Sequence, residues 1–427
     1  MFYGVILIIY LLNLFFVIKI IFQSSFKIPN FHYTLLLLII FPILTPLVHI
    51  ILFLDERITK LNAPEKPIIL RGNGKLFNSG HDFYADLIHE IEQAKHYILI
   101  NIFIFNSDSI GKRIIRKLEE KQEEGVQVVI IYDFGARKKL KKHAFKELKN
   151  LGGTVICYMP LFVKRRINLN YRNHRKIILI DHKVAYLGGF NIGDEYLGRD
   201  HYLGPWLDIE LKLTGNIKPL IHLIQKDLSK LNQSLPSSIV SLREPETYDH
   251  EIEVFQIIPS GLEKQFNSSL QTYIDLIYKA KSEIQIMTPY FIINDGLIDA
   301  LLYKAHQGCK ISIILPSKND HILVNNASRA MALKLIHPNI YIYLYDPRRF
   351  MHAKVLLIDE EILFITSANL DNRSLYFNLE VGAVTKDQGL IQSMLNEFAI
   401  QKNLSKLFTK EDVSIFDQLV LLFASFL

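Results

Sequence analysis

Two segments of the 427-residue chain repeat the same polar positions at the same spacing. In the first, His174 is followed by Lys176, Asp181, Gly189 and Asn191; in the second, His352 is followed by Lys354, Asp359, Ser367 and Asn369. The offsets from each histidine are 2, 7, 15 and 17 in both segments. Each His-x-Lys sits in an apolar run, and residues two apart on a strand point to one face. Histidine and lysine therefore share a face, while Arg175 or Ala353 turns the other way. Imidazole titrates near neutral pH and serves as nucleophile, general acid or general base. A lysine beside it clamps anionic oxygens, and an asparagine amide adds a neutral hydrogen-bond donor. Two such sets supply what exchange at a phosphodiester needs. One histidine attacks phosphorus, and the other protonates the departing alcohol and deprotonates the incoming one. Near-symmetric motifs leave open which histidine does which. No set of clustered carboxylates of the two-metal kind accompanies them, so no metal or other cofactor is expected.

The elements that must hold these residues are themselves duplicated. Segment 83–105 resembles 272–293: each opens with helical periodicity, passes through Ala-Lys, and enters a β-rich run. Helical patterns follow near 110–124 and 296–307, then strands at 125–133 and 308–316, and further strands at 154–159 and 340–345. Helices alternating with strongly apolar strands predict an α/β architecture of parallel or mixed sheets, with helices on their faces. The duplication predicts two similar domains about a pseudo-two-fold axis. The expected boundaries are 59–225 and 251–427, joined by a polar, turn-rich linker at 226–250.

Hydrophobic residues make up 49% of the chain, and their excess concentrates at the N-terminus. Residues 1–22 and 31–54 are apolar runs, each long enough to cross a hydrocarbon core of about 30 Å as a helix. The expectation is a two-helix transmembrane hairpin over 1–58, without the basic start and small-residue cleavage site of a signal peptide. Arg57, Lys60, Lys66 and Arg71 follow the second run, whereas only Lys27 lies between the runs, which predicts cytoplasmic catalytic domains. Two cysteines, Cys157 and Cys309, exclude a disulfide-rich scaffold and a cysteine-based metal cluster. The net charge is only +6, but residues 137–176 hold 13 Lys or Arg against the single acid Glu147. With sparse aromatic interleaving, that stretch points to an anionic headgroup surface rather than to nucleic acid. The C-terminal stretch 413–427 is expected to be a buried closing helix, with an interfacial helix as the alternative.

The paired pattern resembles the phospholipase D superfamily signature, His-x-Lys-(x)4-Asp-(x)6-Gly-(Gly/Ser)-x-Asn, present twice. Within that superfamily the chain is most similar to the bacterial membrane-bound cardiolipin synthases. The supports are Asn170-Tyr171-Arg172-Asn173, the run Gly189 to Tyr196, Thr288-Pro289-Tyr290-Phe291, and Asn369-Leu370-Asp371-Asn372-Arg373-Ser374. The resemblance implies two phospholipase D-like α/β/α domains and transfer of a phosphatidyl group between two phosphatidylglycerol molecules, giving cardiolipin and glycerol. It favours His174 as the nucleophile that becomes phosphohistidine. It places Asp181 and Asp359 with the catalytic set, with a structural role as the alternative, Asn191, Asn369 and Ser367 beside the phosphate, and Glu195 and Glu380 as supports of the histidines, an acid of each half serving the opposing histidine. The implied partners are anionic phospholipids, chiefly phosphatidylglycerol, and the bilayer; the implied location is a bacterial inner membrane, multi-pass. A hydrolase using water as acceptor, or an inactive membrane-tethered binding protein, are the alternatives. Two positions depart from the family pattern: Thr366 stands where glycine is usual, and Leu207 where arginine is usual.

Overall fold

The computed structural model describes residues 66–158, 162–163, 166–167, 172–242, 253–261 and 268–421, all within one compact unit, Leu61–Leu427. Its framework is a single sheet of fifteen strands. The first half contributes β1 (Ile68–Phe77), β2 (Tyr97–Ile102), β3 (Gln127–Asp133) and β4 (Thr154–Tyr158). After a short hairpin of β5 (Phe162–Val163) and β6 (Arg166–Ile167) come β7 (Ile177–Ile180), β8 (Val184–Gly188), β9 (Trp206–Leu207) and β10 (Glu210–Gly215). The second half contributes β11 (Glu253–Ser260), β12 (Glu283–Met287), β13 (Lys310–Leu315), β14 (Ile340–Leu344), β15 (Phe350–Met351), β16 (Val355–Ile358), β17 (Ile362–Thr366), β18 (Glu380–Thr385) and β19 (Lys406–Leu407).

The strand order is β19-β14-β13-β12-β16-β17-β18-β11-β1-β10-β8-β7-β2-β3-β4. Apart from β19, the second seven strands repeat the first seven in mirrored order about the β11–β1 pair. The expected internal symmetry is thus present, and both halves share one continuous sheet. β2, β3 and β4 are parallel, as are β12, β13 and β14, while the remaining pairs of this sheet are antiparallel; β9 and β15 lie outside it and pair with each other. These central strands read as near-continuous Ile/Val/Leu runs because both faces are covered; every residue of β2 is buried.

Alternate residues of β2 divide between two cores. Leu99 joins a cluster shared by both halves, which includes Leu220 and Ile224 of the helix Lys218–Ser229 and Met394 and Phe398 of the helix Gln388–Asn403. Ile98 and Ile100 face the helices Gly80–Gln93 and Ser109–Glu123. The second half has its own outer core against the helices Ser268–Lys279, Asp295–His306 and Ile322–Ala332. Side-chain oxygens of Ser79, Asp108 and Asn294 start the helices of both halves by accepting from backbone amides. Part of the stretch read as linker is packed, with Leu228, Leu235 and Ile239 buried. The C-terminal segment forms a short helix, Ile415–Leu421, which packs against Ile322–Ala332, buries Val420 and leaves Ile415 and Phe416 exposed.

The segments expected to form a transmembrane hairpin, 1–22 and 31–54, lie outside the described residues. Among the described residues no helix is long and apolar enough to cross a membrane. That finding corrects the multi-pass inner-membrane localisation read from the sequence.

Candidate active site

The two histidine-bearing segments leave their own halves and hydrogen-bond to the other. His352 N–H donates to the Leu207 carbonyl at 2.7 Å, and Phe350 N–H to that of Pro205 at 2.9 Å, so that β15 runs parallel to β9. The matching segment of the first half does the same: His174 N–H donates to the Leu379 carbonyl at 2.9 Å, and Leu379 N–H to that of Arg172 at 2.8 Å. In each case the next residue along the segment it pairs with is a buried acid, Asp208 or Glu380. These acids occupy equivalent register positions, since Gly189 N–H donates to Ile209 and Ser367 N–H to Val381.

The crossed ladders bring each imidazole onto the opposite half's carboxylate. His174 Nδ1 lies 2.9 Å from both Glu380 oxygens, and His352 Nδ1 lies 2.5 Å from Asp208 Oδ2. An ionised carboxylate only accepts, so a proton on each Nδ1 satisfies it and leaves Nε2 as the reactive nitrogen of each ring; Lys354 Nζ also lies 2.7 Å from His352 Nδ1. Burial tends to raise both acids, but His174 and Lys176 hold Glu380 below the usual carboxylate range, as Lys354 and His352 hold Asp208. Burial, helped by the lysines, lowers both imidazoles; His174 falls to about 4 and stays a neutral base at pH 7. Phe103 packs edge-on against His174, and Trp206 lies 5.0 Å from the His352 ring centroid.

Lys176 and Lys354 are both buried and bond back to the carbonyl of their own histidine. Burial lowers Lys176 to about 7 and Lys354 to about 8. An anion arriving beside them restores their charge. Ser367 Oγ donates to Glu380 Oε2 at 2.5 Å, whereas the equivalent Gly189 leaves room for the shorter acid: a Cβ there would lie 1.9 Å from Asp208 Oδ1. Both histidines, Asn191 and Asn369 line one cavity of about 620 Å³.

Not every residue read from the motif arrives there. Asp181 and Asp359 sit at the opposite ends of β7 and β16, in three-residue hairpin connections (181–183 and 359–361) with positive φ at Asp181, His182, Asp359 and Glu360. The Asp181 carboxylate accepts from the backbone amides of Lys95, His96 and Tyr97, and Asp359 from those of Lys281, Ser282 and Glu283. Each clamps the start of a neighbouring strand, at the far end of the strand from its histidine. Asn191 is occupied, accepting from Ile104 N–H and donating to Tyr196 Oη, while Asn369 Oδ1 is buried without a partner among the described residues. Glu195 lines the cavity but pairs with Lys139. Arg175 does turn away, tying the Glu380 and Ser260 carbonyls to Asp227. Leu207 serves through its carbonyl, and its side chain is buried in the shared core.

Asp208 was not among the expected residues. Its signal was the run Trp206-Leu207-Asp208, but nineteen residues separate it from Gly189 against thirteen from Ser367 to Glu380, so the motif offsets do not align it. Among the described residues no group of three or more metal-ligating side chains is placed to hold a metal ion.

A family described as cardiolipin synthase, phospholipase D-like domain, matches residues 87–203 and 273–401. The chain is 33% identical over 340 residues to cardiolipin synthase 2 of Staphylococcus epidermidis, covering 79% of this chain and 69% of that protein. It is 34% identical over 342 residues to the major cardiolipin synthase of Bacillus subtilis, covering 79% and 70%. The crystal structure of phosphatidylserine synthase from Haemophilus influenzae shares the fold at a TM-score of 0.64 and 14% identity, covering 87% of this chain and 97% of that one.

Proposed function

We infer that this chain, which belongs to the cardiolipin synthase family of the phospholipase D superfamily, is a phosphatidyltransferase that joins two phosphatidylglycerol molecules into cardiolipin and glycerol. The observation that carries the reading is the crossed pair: two imidazoles on one cavity, each fixed at Nδ1 by a carboxylate of the opposite half.

In this reading His174 Nε2 attacks the phosphorus of the first lipid. A P–N bond forms and the bond from phosphorus to the glycerol oxygen breaks, with the proton on His352 Nε2 passing to that oxygen. Burial and the Lys354 charge withhold this proton from His352, and the entering phosphodiester anion favours it. Once glycerol leaves, neutral His352 takes the hydroxyl proton of the second lipid. Its oxygen attacks phosphorus, and the P–N bond breaks to return His174. Dividing the exchange this way lets one alcohol depart before the next enters. Lys176 and Lys354 hold the phosphoryl oxygens throughout.

The test is lipid mass spectrometry of the protein in phosphatidylglycerol liposomes, beside His174→Ala. Cardiolipin and glycerol, absent with the variant, are expected. Phosphatidic acid as the main product would overturn the transferase reading in favour of hydrolysis.

A further inference from the structure

Four positions around the cavity break the internal symmetry, and they sort by charge. Arg172 precedes His174 by two residues, where Phe350 precedes His352; Arg373 follows Asn369 by four, where Glu195 follows Asn191. One side of the site therefore carries two guanidiniums close enough for Arg172 to act on Arg373. The symmetry-related side carries Glu195 with Lys139, and Phe350 packed edge-on against Trp206 at 4.7 Å between ring centroids. Arg172 and Arg373 both line the cavity that holds the histidines.

The two arginines differ in how they are held. Arg172 is buried beside Asp133, 3.5 Å from Nη1 to Oδ1. Arg373 is exposed to the cavity, and its guanidinium makes no hydrogen bond or ion pair among the described residues. The carboxylates acting on it are Asp371, whose oxygen accepts from Ser374 N–H, and Asp133, already beside Arg172. A planar, permanently charged fork facing a cavity is suited to a phosphate.

The second chemical step puts two phosphates in that cavity, one on histidine and one within the attacking lipid. The lysines attend the first. We propose that Arg373, backed by Arg172, binds the acceptor lipid's own phosphodiester and thereby selects a phosphate-bearing alcohol over water or a simple alcohol. The proposal deepens the transfer reaction above and rests on it.

The experiment follows two products in one vesicle sample of phosphatidylglycerol supplied with isotope-labelled glycerol. Label entering phosphatidylglycerol reports attack by an alcohol without a phosphate; cardiolipin reports attack by an alcohol that has one. Loss of a charge-assisted contact in Arg373→Gln is expected to lower the ratio of cardiolipin to exchanged glycerol about tenfold, and Arg373→Lys to recover part of it. A ratio unchanged in Arg373→Gln, whether both products fall together or neither does, would overturn the subsite. If the unsubstituted protein yields neither product, the transfer reaction itself is wrong.

Discussion

In the first half the strand pair behind the motif sets Gly188 opposite Glu210; in the second, the same pair sets Thr366 opposite Gly382. A Cβ on Gly188 would lie 2.4 Å from the Ile209 carbonyl oxygen and 2.5 Å from Glu210 Oε2, and one on Gly382 would lie 2.4 Å from the Phe364 ring and 3.0 Å from Thr366 Cβ. Each half thus has one side chain and one glycine at this crossing, on opposite strands. The departure at Thr366 is accommodated by Gly382, and its hydroxyl is satisfied by the Val381 carbonyl and Ala368 N–H. The lesson is that the catalytic positions keep the two-fold relation while their packing is conserved only as a sum across paired strands.

The largest test of that relation concerns the histidines. If the geometric equivalence hides different roles, His174→Ala loses on the order of 10⁶ in kcat as the nucleophile is removed. His352→Ala then loses about 10²–10⁴ as an acid–base group. Quenching the enzyme with labelled phosphatidylglycerol in alkali should trap labelled protein in His352→Ala and none in His174→Ala; the opposite pattern exchanges the two roles.

Next come the crossed acids. Glu380→Gln and Asp208→Asn should each cost about 10²–10⁴ in rate through loss of imidazole orientation. Their pH profiles sharpen the comparison. Activity needs neutral His174, present above about 4, and charged lysines, lost on passing about 7 for Lys176 and about 8 for Lys354. Glu380 supports the charge on both His174 and Lys176, so Glu380→Gln lowers both and moves the alkaline limb of kcat/KM to lower pH. Asp208→Asn does the same through Lys354. An unmoved limb in either variant would separate that acid from the lysine it faces.

Packing effects are smaller. Gly188→Ala should cost about 1–3 kcal/mol in urea unfolding because it meets a backbone oxygen. Gly382→Ala should cost less, since the Phe364 ring can tilt. Least affected is Glu210→Gln. Burial raises the Glu210 carboxyl well above the usual range, which favours the neutral acid; it accepts from Phe190 N–H, and the amide should change stability by less than about 1 kcal/mol. Asp208, two residues earlier, is ionised; the pair shows two acids of one strand segment put to opposite uses by their neighbours.

Much of this was legible in the residues. Matched His-x-Lys offsets located the paired site, and the repeat with its alternating helices and apolar strands gave the architecture. The crossing was implied by the family resemblance and not by the spacing. Nothing in the spacing tells that Glu380 serves His174, because the contact depends on a parallel ladder between halves, and Asp208 lies behind a longer loop. Asp181 and Asp359 share the motif's fixed offset for a different reason: a tight connection with positive φ at its first two residues closes the hairpin after each His-x-Lys strand, and aspartate tolerates that conformation. Offset reports covalent distance along a hairpin, not membership of the site.

The β1–β11 junction, where Ile68–Gly72 pairs with Glu253–Ile257, also bears on how the molecule comes apart. Separating the halves means unzipping a central backbone ladder, tearing the shared core, and leaving two raw sheet edges to water or to other chains. The repeat units are accordingly not independent melting bodies. Heat should dissolve them in one calorimetric transition, and a half made alone would expose the edge at which an unrelated strand, or another half, can attach.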